Sequence, residues 1–195
     1  RKMRAAMNIP IDAHVFLSIG SMLWNKGIDL LVAAFATLRQ RHDRVILMLK
    51  GAEELYGNAI GQRYAEANRL VGGGIPQSVF ESIRYSGKNF PASYVAKLYR
   101  ASDTYISPYR AEGFNLPVLE ALASGVLPIV TRRGPTDDFC PDHLSLKIES
   151  RAARLDAGGR FLEPAIDSLV ACMQQTMADA ALQRTVPPDD PRWVA

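Results

Sequence analysis

The sequence has few of the residues that build disulfide frameworks or metal centres. Its 195 residues include two cysteines and three histidines. Cys140 and Cys172 lie 32 positions apart, in neither a Cys-x-x-Cys pair nor a zinc-ligand spacing, and the histidines are scattered. We therefore expect two reduced thiols in the core, no resident metal or other cofactor, and a cytoplasmic location.

Long apolar runs and an excess of charge of one sign are also lacking. Charges or turn residues interrupt every hydrophobic run before the roughly 20 residues that a membrane-spanning helix needs. The 23 basic and 20 acidic residues leave a net charge of +3, too small to indicate a nucleic-acid-binding protein. Hydrophobic residues at 48% and charged residues at 22% are typical of a globular domain. No signal peptide is visible, and a first residue of Arg1 suggests a piece of a longer protein.

Strand and helix patterns alternate along the chain. Strands are predicted at 15–20, 44–51, 79–86, 104–107, 126–131 and 144–148. Helices are predicted at 26–41, 57–71, 93–101 and 116–124, with a last one running from Pro164, in its first turn, to about 180. Residues 151–159 have no clear pattern. Apolar strands alternating with helices predict a Rossmann-like, doubly wound, mostly parallel α/β sheet with helices on both faces.

The same patterns indicate one domain. Residues 1–186 contain no linker and no internal repeat, so we assign them to a single unit. Residues 187–195 are rich in Pro and Asp and are expected to form a tail, or the start of a truncated crossover helix. The helix at 116–124 is so apolar that we expect it to be largely buried.

Ligands bind such sheets beyond the carboxyl ends of the strands, which directs attention to the loops there. The first of these loops runs from Gly20 to Gly27, with Lys26 at the start of the next helix. A cation is unfavourable at a helix N-terminus unless an anion also lies there, which favours a phosphate site. A solvated lysine in a glycine-bounded turn explains these residues equally well.

A stronger pattern follows the fourth strand. Glu112 and Glu120 lie eight positions apart, around Gly113 and a helix start that leaves the amides of Asn115 and Leu116 free. A carboxylate buried in an apolar helix needs donors, and the adjacent hydroxyls of a ribose would supply two of them to Glu120. Taken singly, Glu112 is more simply a helix-end acid and Glu120 half of an internal salt bridge. Taken together, the two glutamates favour a ligand site.

Residues 107–130, SPYRAEGFNLPVLEALASGVLPIV, resemble the E-x7-E signature of the group 1 (family 4) glycosyltransferases, which have the GT-B fold. Residues 16–35 are similar to the family's first strand, loop and K-G-x-D-x-L-x-x-A-F helix, and residues 98–103, LYRASD, to its L-Y-x-x-A-D helix. The resemblance covers about 15–180. It implies the C-terminal, nucleotide-sugar-binding half of such an enzyme.

The resemblance implies a role for each matching position. Lys26 would contact the donor diphosphate, Glu112 would bind hydroxyls of the donor sugar as the catalytic residue, and Glu120 would hold the ribose diol. The other implied donor-binding residues are Gly20, Lys88 beside the base, Gly113, Phe114, Asn115 and Leu116.

The reaction implied is a metal-independent transfer that retains the anomeric configuration. The donor would be a nucleoside-diphosphate sugar of UDP or GDP type, and the acceptor a glycan, lipid or protein bound through an N-terminal domain absent from this chain. The fragment alone would bind donor but scarcely catalyse. The full-length protein would be cytoplasmic, or lie at the inner membrane surface.

Two positions depart from the family pattern. Gly20 is followed by Ser21 where the family often has Arg, so a cation is missing unless Lys88 or Arg110 replaces it. Asn115 stands where the family has Gly, but Asn enters left-handed backbone angles more easily than most residues, and its side chain could reach the sugar.

Two other functions therefore stay open. One is a sugar-nucleotide epimerase or phosphorylase relative on the same fold. The other is a non-catalytic module that binds nucleotide sugar without turnover.

Overall fold

The structure is a computed structural model that describes residues 2–179 and Leu182. Its main sheet has six parallel strands, β1 (His14–Ile19), β2 (Val45–Lys50), β3 (Ile83–Ser86), β4 (Thr104–Ser107), β5 (Leu127–Thr131) and β6 (Leu146–Ile148). Their order across the sheet is β3-β2-β1-β4-β5-β6. The winding therefore reverses between β1 and β4, and the loops after these two strands diverge at a topological switch point, where open α/β sheets bind ligands.

Helices cover both faces of this sheet, as predicted. They are α1 (Lys2–Ala6), α2 (Ile28–Arg39), α3 (Glu53–Tyr56), α4 (Ile60–Leu70), α5 (Gln77–Phe80), α6 (Ala92–Ala101), α7 (Leu116–Ala123) and α8 (Ile166–Ala178). None of these helices is long and apolar enough to cross a bilayer.

Alternate residues of each strand enter opposite halves of the core. Phe16 of β1 packs with α2, α4 and α8 on one face. Its neighbours Val15 and Leu17 pack with α6 and α7 on the other. Cys140 and Cys172 are buried and unpaired, which confirms the expectation of two core thiols.

Some element boundaries differ from the predictions. The third strand begins at Ile83 and not at 79, because residues Gln77–Phe80 form the helical turn α5 instead. The helix predicted from 26 begins at Ile28, and Lys26 ends a separate 3-10 turn, Trp24–Lys26. The turn α3 was not predicted. The proposed tail at 187–195 lies outside the described residues.

The largest difference is a second, two-stranded sheet. β7 (Ser150–Arg154) and β8 (Arg160–Pro164) form an antiparallel hairpin over the stretch without a clear pattern. Pro164 therefore ends a strand, and the last helix begins two residues later, at Ile166. The hairpin is an addition to the doubly wound sheet and lies beside the loops at its switch point.

Gly27 lets the first of these loops approach the loop after β4. It caps the 3-10 turn in the left-handed region, with φ 66° and ψ 26°. A Cβ at this position would lie 1.9 Å from the carbonyl oxygen of Pro108. Only glycine can adopt this left-handed conformation and also lie this close to the carbonyl oxygen of Pro108, so residue 27 sets the distance between the two loops.

We predict that Gly27→Ala lowers the free energy of unfolding by about 2–4 kcal/mol, from left-handed strain plus overpacking. The matched control is Gly72→Ala, because Gly72 also has a left-handed φ of 69° but would place its Cβ in open space. That change should cost about 1–2 kcal/mol. Urea unfolding of both variants measures the difference, and equal losses would contradict a close contact at Pro108.

Candidate functional site

The two loops at the switch point are joined by an ion pair between predicted site residues. The Nζ atom of Lys26 contacts Oε1 of Glu112, and both side chains are mostly buried. The backbone brings them together, because the carbonyl oxygen of Asn25 accepts hydrogen bonds from the N–H groups of Arg110 at 2.7 Å and Ala111 at 3.3 Å. Residues 86 positions apart in the sequence thus form one site.

The N-terminus of α7 opens beside this pair. Asn115 adopts φ 74° and ψ 58°, the left-handed conformation that we predicted for it. Among the described residues, none accepts a hydrogen bond from the backbone N–H groups of Gly113, Phe114, Asn115 or Leu116. Four consecutive unpaired N–H groups at a helix start are suited to binding an anion.

The side chain of Asn115 has a different role from the sugar contact that we considered. It is buried, and its Nδ2 donates to Oγ of Ser107 at 2.9 Å. The amide therefore ties the turn to the end of β4 and stabilises the left-handed conformation.

Glu120 is exposed, so the expectation of a buried carboxylate is wrong. The reason is that α7 packs one side against the sheet through Val118, Ala121 and Leu122 and leaves the other side open. Leu116 on the open side is 61% exposed. The predicted burial of the whole helix is therefore also wrong, although its composition is almost entirely apolar.

The carboxylate of Glu120 has a tyrosine as its partner. The hydroxyl of Tyr99 lies 2.9 Å from Oε2 of Glu120 and 3.0 Å from the carbonyl oxygen of Pro117. Burial raises the pKa of Tyr99 well above its usual range, as do the nearby Tyr105 and Glu120. The hydroxyl is therefore a donor, and Glu120 has no ion pair among the residues that the structure describes.

Gly20 and Lys88 lie at the same edge of the sheet but not in one cluster. The N–H of Gly20 donates to the carbonyl oxygen of Lys50 at 3.0 Å, and the stem of Lys26 lies over it. Lys88 follows β3, which lies two strands from β1 and three from β4, so the end of β3 is roughly 10 Å from the end of β1. Its side chain is exposed and has no partner among the described residues.

Arg110 is not a second cation for a ligand, because its guanidinium is used inside the protein. Two of its nitrogens each lie 2.8 Å from an oxygen of Asp29. A third, Nε, lies 3.1 Å from Oε2 of Glu163, and Nη1 also donates to the carbonyl oxygen of Trp24 at 3.0 Å. The proposal that Arg110 replaces the missing arginine after Gly20 is therefore wrong.

This cluster of Arg110, Asp29 and Glu163 was missed in the sequence. It had one visible signal, since Asp29 interrupts the apolar helix α2 and is 4% exposed. Arg110 and Asp29 face each other with side chains 5% exposed. Glu163 carried no signal, because the hairpin that presents it was not predicted. The cluster connects the loop after β1, the loop after β4 and the hairpin.

A Rossmann-like sheet with its polar groups at the switch point is the architecture of one half of a GT-B glycosyltransferase fold. A sequence profile of the group 1 glycosyl transferases matches residues 13–154. The chain belongs to this family, which confirms the resemblance seen in the sequence.

Curated relatives agree with this assignment. The chain is 30% identical over 128 residues to mannosylfructose-phosphate synthase of Agrobacterium fabrum, covering 63% of this chain and 26% of that protein. It is 28% identical over 167 residues to D-inositol 3-phosphate glycosyltransferase of Acidothermus cellulolyticus, covering 84% and 36%. The chain thus spans only about a third of the length of these relatives.

Solved structures share the fold. A glycosyltransferase from Rickettsia africae superposes with a TM-score of 0.73 at 18% identity, over 99% of this chain and 45% of that one. The C-terminal domain of a group 1 family glycosyl transferase from Francisella tularensis superposes with a TM-score of 0.69 at 18% identity, over 99% and 89%.

We predict that Arg110→Gln lowers the free energy of unfolding by about 3–5 kcal/mol, because it leaves the buried carboxylate of Asp29 without its cation. Adding Asp29→Asn should restore part of this loss, since the more deeply buried of the two stranded carboxylates is then removed. The control is Arg44→Gln, whose ion pair with Asp12 has side chains 71% and 52% exposed. That variant should lose at most about 1 kcal/mol in urea unfolding. A double variant less stable than Arg110→Gln would contradict this account.

Proposed function

We propose that the chain is the donor-binding half of a retaining glycosyltransferase, which moves a sugar from a nucleoside-diphosphate sugar to an acceptor. The observation that carries the proposal is the Lys26–Glu112 pair beside the unpaired N–H groups of residues 113–116. One edge of the sheet thus presents a cation, the free amides of a helix start and a carboxylate. These groups are suited to bind a ligand in which a phosphate is joined to a polyol. Family membership and the names of the relatives support sugar transfer.

In this proposal the diphosphate lies between Lys26 and the start of α7. The ammonium and the unpaired amides donate hydrogen bonds to its oxygens. As the bond between the anomeric carbon and the phosphate oxygen breaks, negative charge collects on the departing diphosphate. Groups already oriented toward that charge stabilise it without reorganising.

Glu112 then binds the hydroxyls of the donor sugar. Its carboxylate has few other partners once Lys26 turns to the phosphate, and hydroxyls of the transferred sugar replace them. Holding the sugar in one orientation lets the acceptor oxygen approach the anomeric carbon from a fixed side. We assign Glu112 as the catalytic residue in this sense.

The nucleoside lies along the open side of α7. Glu120 accepts hydrogen bonds from the ribose hydroxyls, and the hydroxyl of Tyr99 keeps the carboxylate in place. Gly20 allows the backbone to approach the ligand, and Lys88 flanks the base from the loop after β3. The donor is of UDP or GDP type.

The acceptor and the second wall of the cleft come from an N-terminal domain. The exposed apolar side chains of Phe114, Leu116 and Leu119, at 49%, 61% and 38%, support a covering partner on this edge. Without that domain we expect donor binding with little turnover. A full-length protein assayed by product analysis would separate transfer from epimerase or phosphorylase activity.

We predict that the chain binds UDP or GDP in the presence of excess EDTA. The reason is that Lys26 and the amides at 113–116 supply the positive potential that a metal would otherwise provide. Calorimetric titrations with and without Mg²⁺ or Mn²⁺ should give affinities within about threefold of each other. Binding that requires added divalent cation would contradict the metal-free site.

We predict different effects on ligand affinity for the two members of the ion pair. Lys26→Ala should weaken the binding of the bare nucleoside diphosphate and of the nucleotide sugar alike, by roughly tenfold or more, since both ligands contain the diphosphate. Glu112→Ala should weaken only the nucleotide sugar, and should leave or improve the affinity for the bare diphosphate because Lys26 is then free. Titrations of both ligands on both variants measure this. An equal loss of both ligands in Glu112→Ala would mean that Glu112 only holds the loop.

A further inference from the structure

A groove of about 330 Å³ runs from Glu112 to the β7–β8 hairpin. One wall is the loop after β4 and another is the turn after β5, which includes Arg133 and Gly134. The hairpin forms the third wall with Ala152 and residues 160–162. This volume is at the low end for ligand sites, roughly 300–1,000 Å³, and suits one sugar ring better than a whole nucleotide sugar.

The groove is held together by specific contacts. The N–H of Leu162 donates to the carbonyl oxygen of Arg110 at 2.8 Å, which docks β8 on the loop that carries Glu112. The ring of Phe161 packs edge-on against Trp24 at a centroid distance of 5.0 Å. Gly134 lies against Tyr109 so closely that a Cβ would be 2.1 Å from the tyrosine oxygen. The walls are therefore already formed before any ligand binds.

Two arginines at this groove have no partners. The side chains of Arg133 and Arg160 are exposed, and neither has a hydrogen bond or an ion pair among the described residues. Arg133 has a left-handed φ of 70°, and its N–H donates to Oδ2 of Asp137 at 2.7 Å, so its turn is fixed. Arg133 lies in the turn after β5 and Arg160 in the hairpin, and both line one cavity.

The other charged side chains that line the groove already have ion-pair partners. Arg110 is paired with Asp29 and Glu163, in a cluster with one net negative charge, and Glu112 is paired with Lys26. Among the charged residues that line the groove, Arg133 and Arg160 are therefore the two without an ion pair, beside walls that include Phe161 and Leu162. Arginine is the side chain best suited to pair with a carboxylate or a phosphate, because its N–H groups can bind two oxygens at once.

We propose that this groove binds a sugar that carries an anionic group, a carboxylate or a phosphate, which pairs with Arg133 and Arg160. The hydroxyls of that sugar face Glu112, and the anion lies at the arginine end, away from the glutamate. The inference rests on the proposed function, since Glu112 marks the place of the reacting sugars. It assigns the substrate class: either the donor sugar or the attacking acceptor sugar is acidic.

The test compares matched neutral and anionic sugars on the chain as it is. Glucose, glucuronate and glucose 6-phosphate are titrated separately, followed by ligand-observed NMR. UDP-glucose and UDP-glucuronate are compared by calorimetry. Each titration is repeated on Arg133→Gln, Arg160→Gln and Arg154→Gln. Arg154 is the matched control, because it is the cross-strand partner of Arg160, is exposed, and does not line the groove.

We expect at least one anionic probe to bind roughly tenfold or more tightly than its neutral counterpart. Arg133→Gln and Arg160→Gln should each remove most of this preference, whereas Arg154→Gln should keep it. A preference for UDP-glucuronate would place the anion on the donor sugar, and a preference limited to free glucuronate or glucose 6-phosphate would place it on the acceptor.

The proposal is overturned if no anionic probe binds more tightly than its neutral counterpart, or if Arg154→Gln loses the preference as fully as Arg160→Gln. Titration with bare UDP and GDP tests the proposed function separately. One outcome is that the chain binds UDP or GDP but binds glucose, glucuronate and glucose 6-phosphate with equal affinity. The proposed function then stands, and the anionic subsite does not exist. A chain that binds neither nucleotide but prefers an acidic sugar has the subsite without that function.

Discussion

The buried guanidinium of Arg110 fixes the loop after β4, which carries it, against the loop after β1 and the hairpin. It joins Asp29 of α2, Trp24 of the first loop and Glu163 of the hairpin, and it lies two residues before Glu112. Its charge is also 4.7 Å from the centre of the Trp24 ring. A buried ion pair adds little stability over an apolar cluster of the same size, because desolvation offsets the attraction. Its effect is geometric: five donors in one plane fix three separate segments relative to one another.

The doubly wound sheet follows from local patterns, which explains why it could be predicted. Strands such as β2, VILMLK, are apolar on both faces, and an α-helix follows each of the first four strands. The hairpin could not be predicted in the same way. The strand SRAAR is mostly exposed and the strand RFLEP is mostly half-buried, and neither sequence alternates apolar and polar residues with a period of two. Its stability comes from contacts with Arg110 and Trp24, which are remote in sequence.

The site shows the same division between local and remote causes. The left-handed turn at Asn115 was expected from the resemblance, because Asn stands where the family has Gly and enters left-handed angles more easily than most residues. The exposure of Glu120 was not, because composition alone does not show that α7 has one open side. Leu116 and Leu119 look like core residues in the sequence and face outward in the structure. Which side of α7 is exposed depends on how the helix packs on the sheet through Val118, Ala121 and Leu122, and the apolar composition of the helix does not show that packing.

The pairing of Lys26 with Glu112 has a consequence for how a ligand enters. Both side chains are largely buried, at 25% and 10% exposure, so removing either partner alone would leave a poorly solvated charge. Under the proposed function, a nucleotide sugar would offer each of them a replacement, a diphosphate for the lysine and hydroxyls for the glutamate. Binding would then be an exchange of partners in which no charge is stranded. A bare diphosphate would pair with the lysine but leave the glutamate unpaired next to further negative charge. In that proposal the ion pair would make the site prefer the complete donor over the bare diphosphate, because only the complete donor supplies a partner for both side chains.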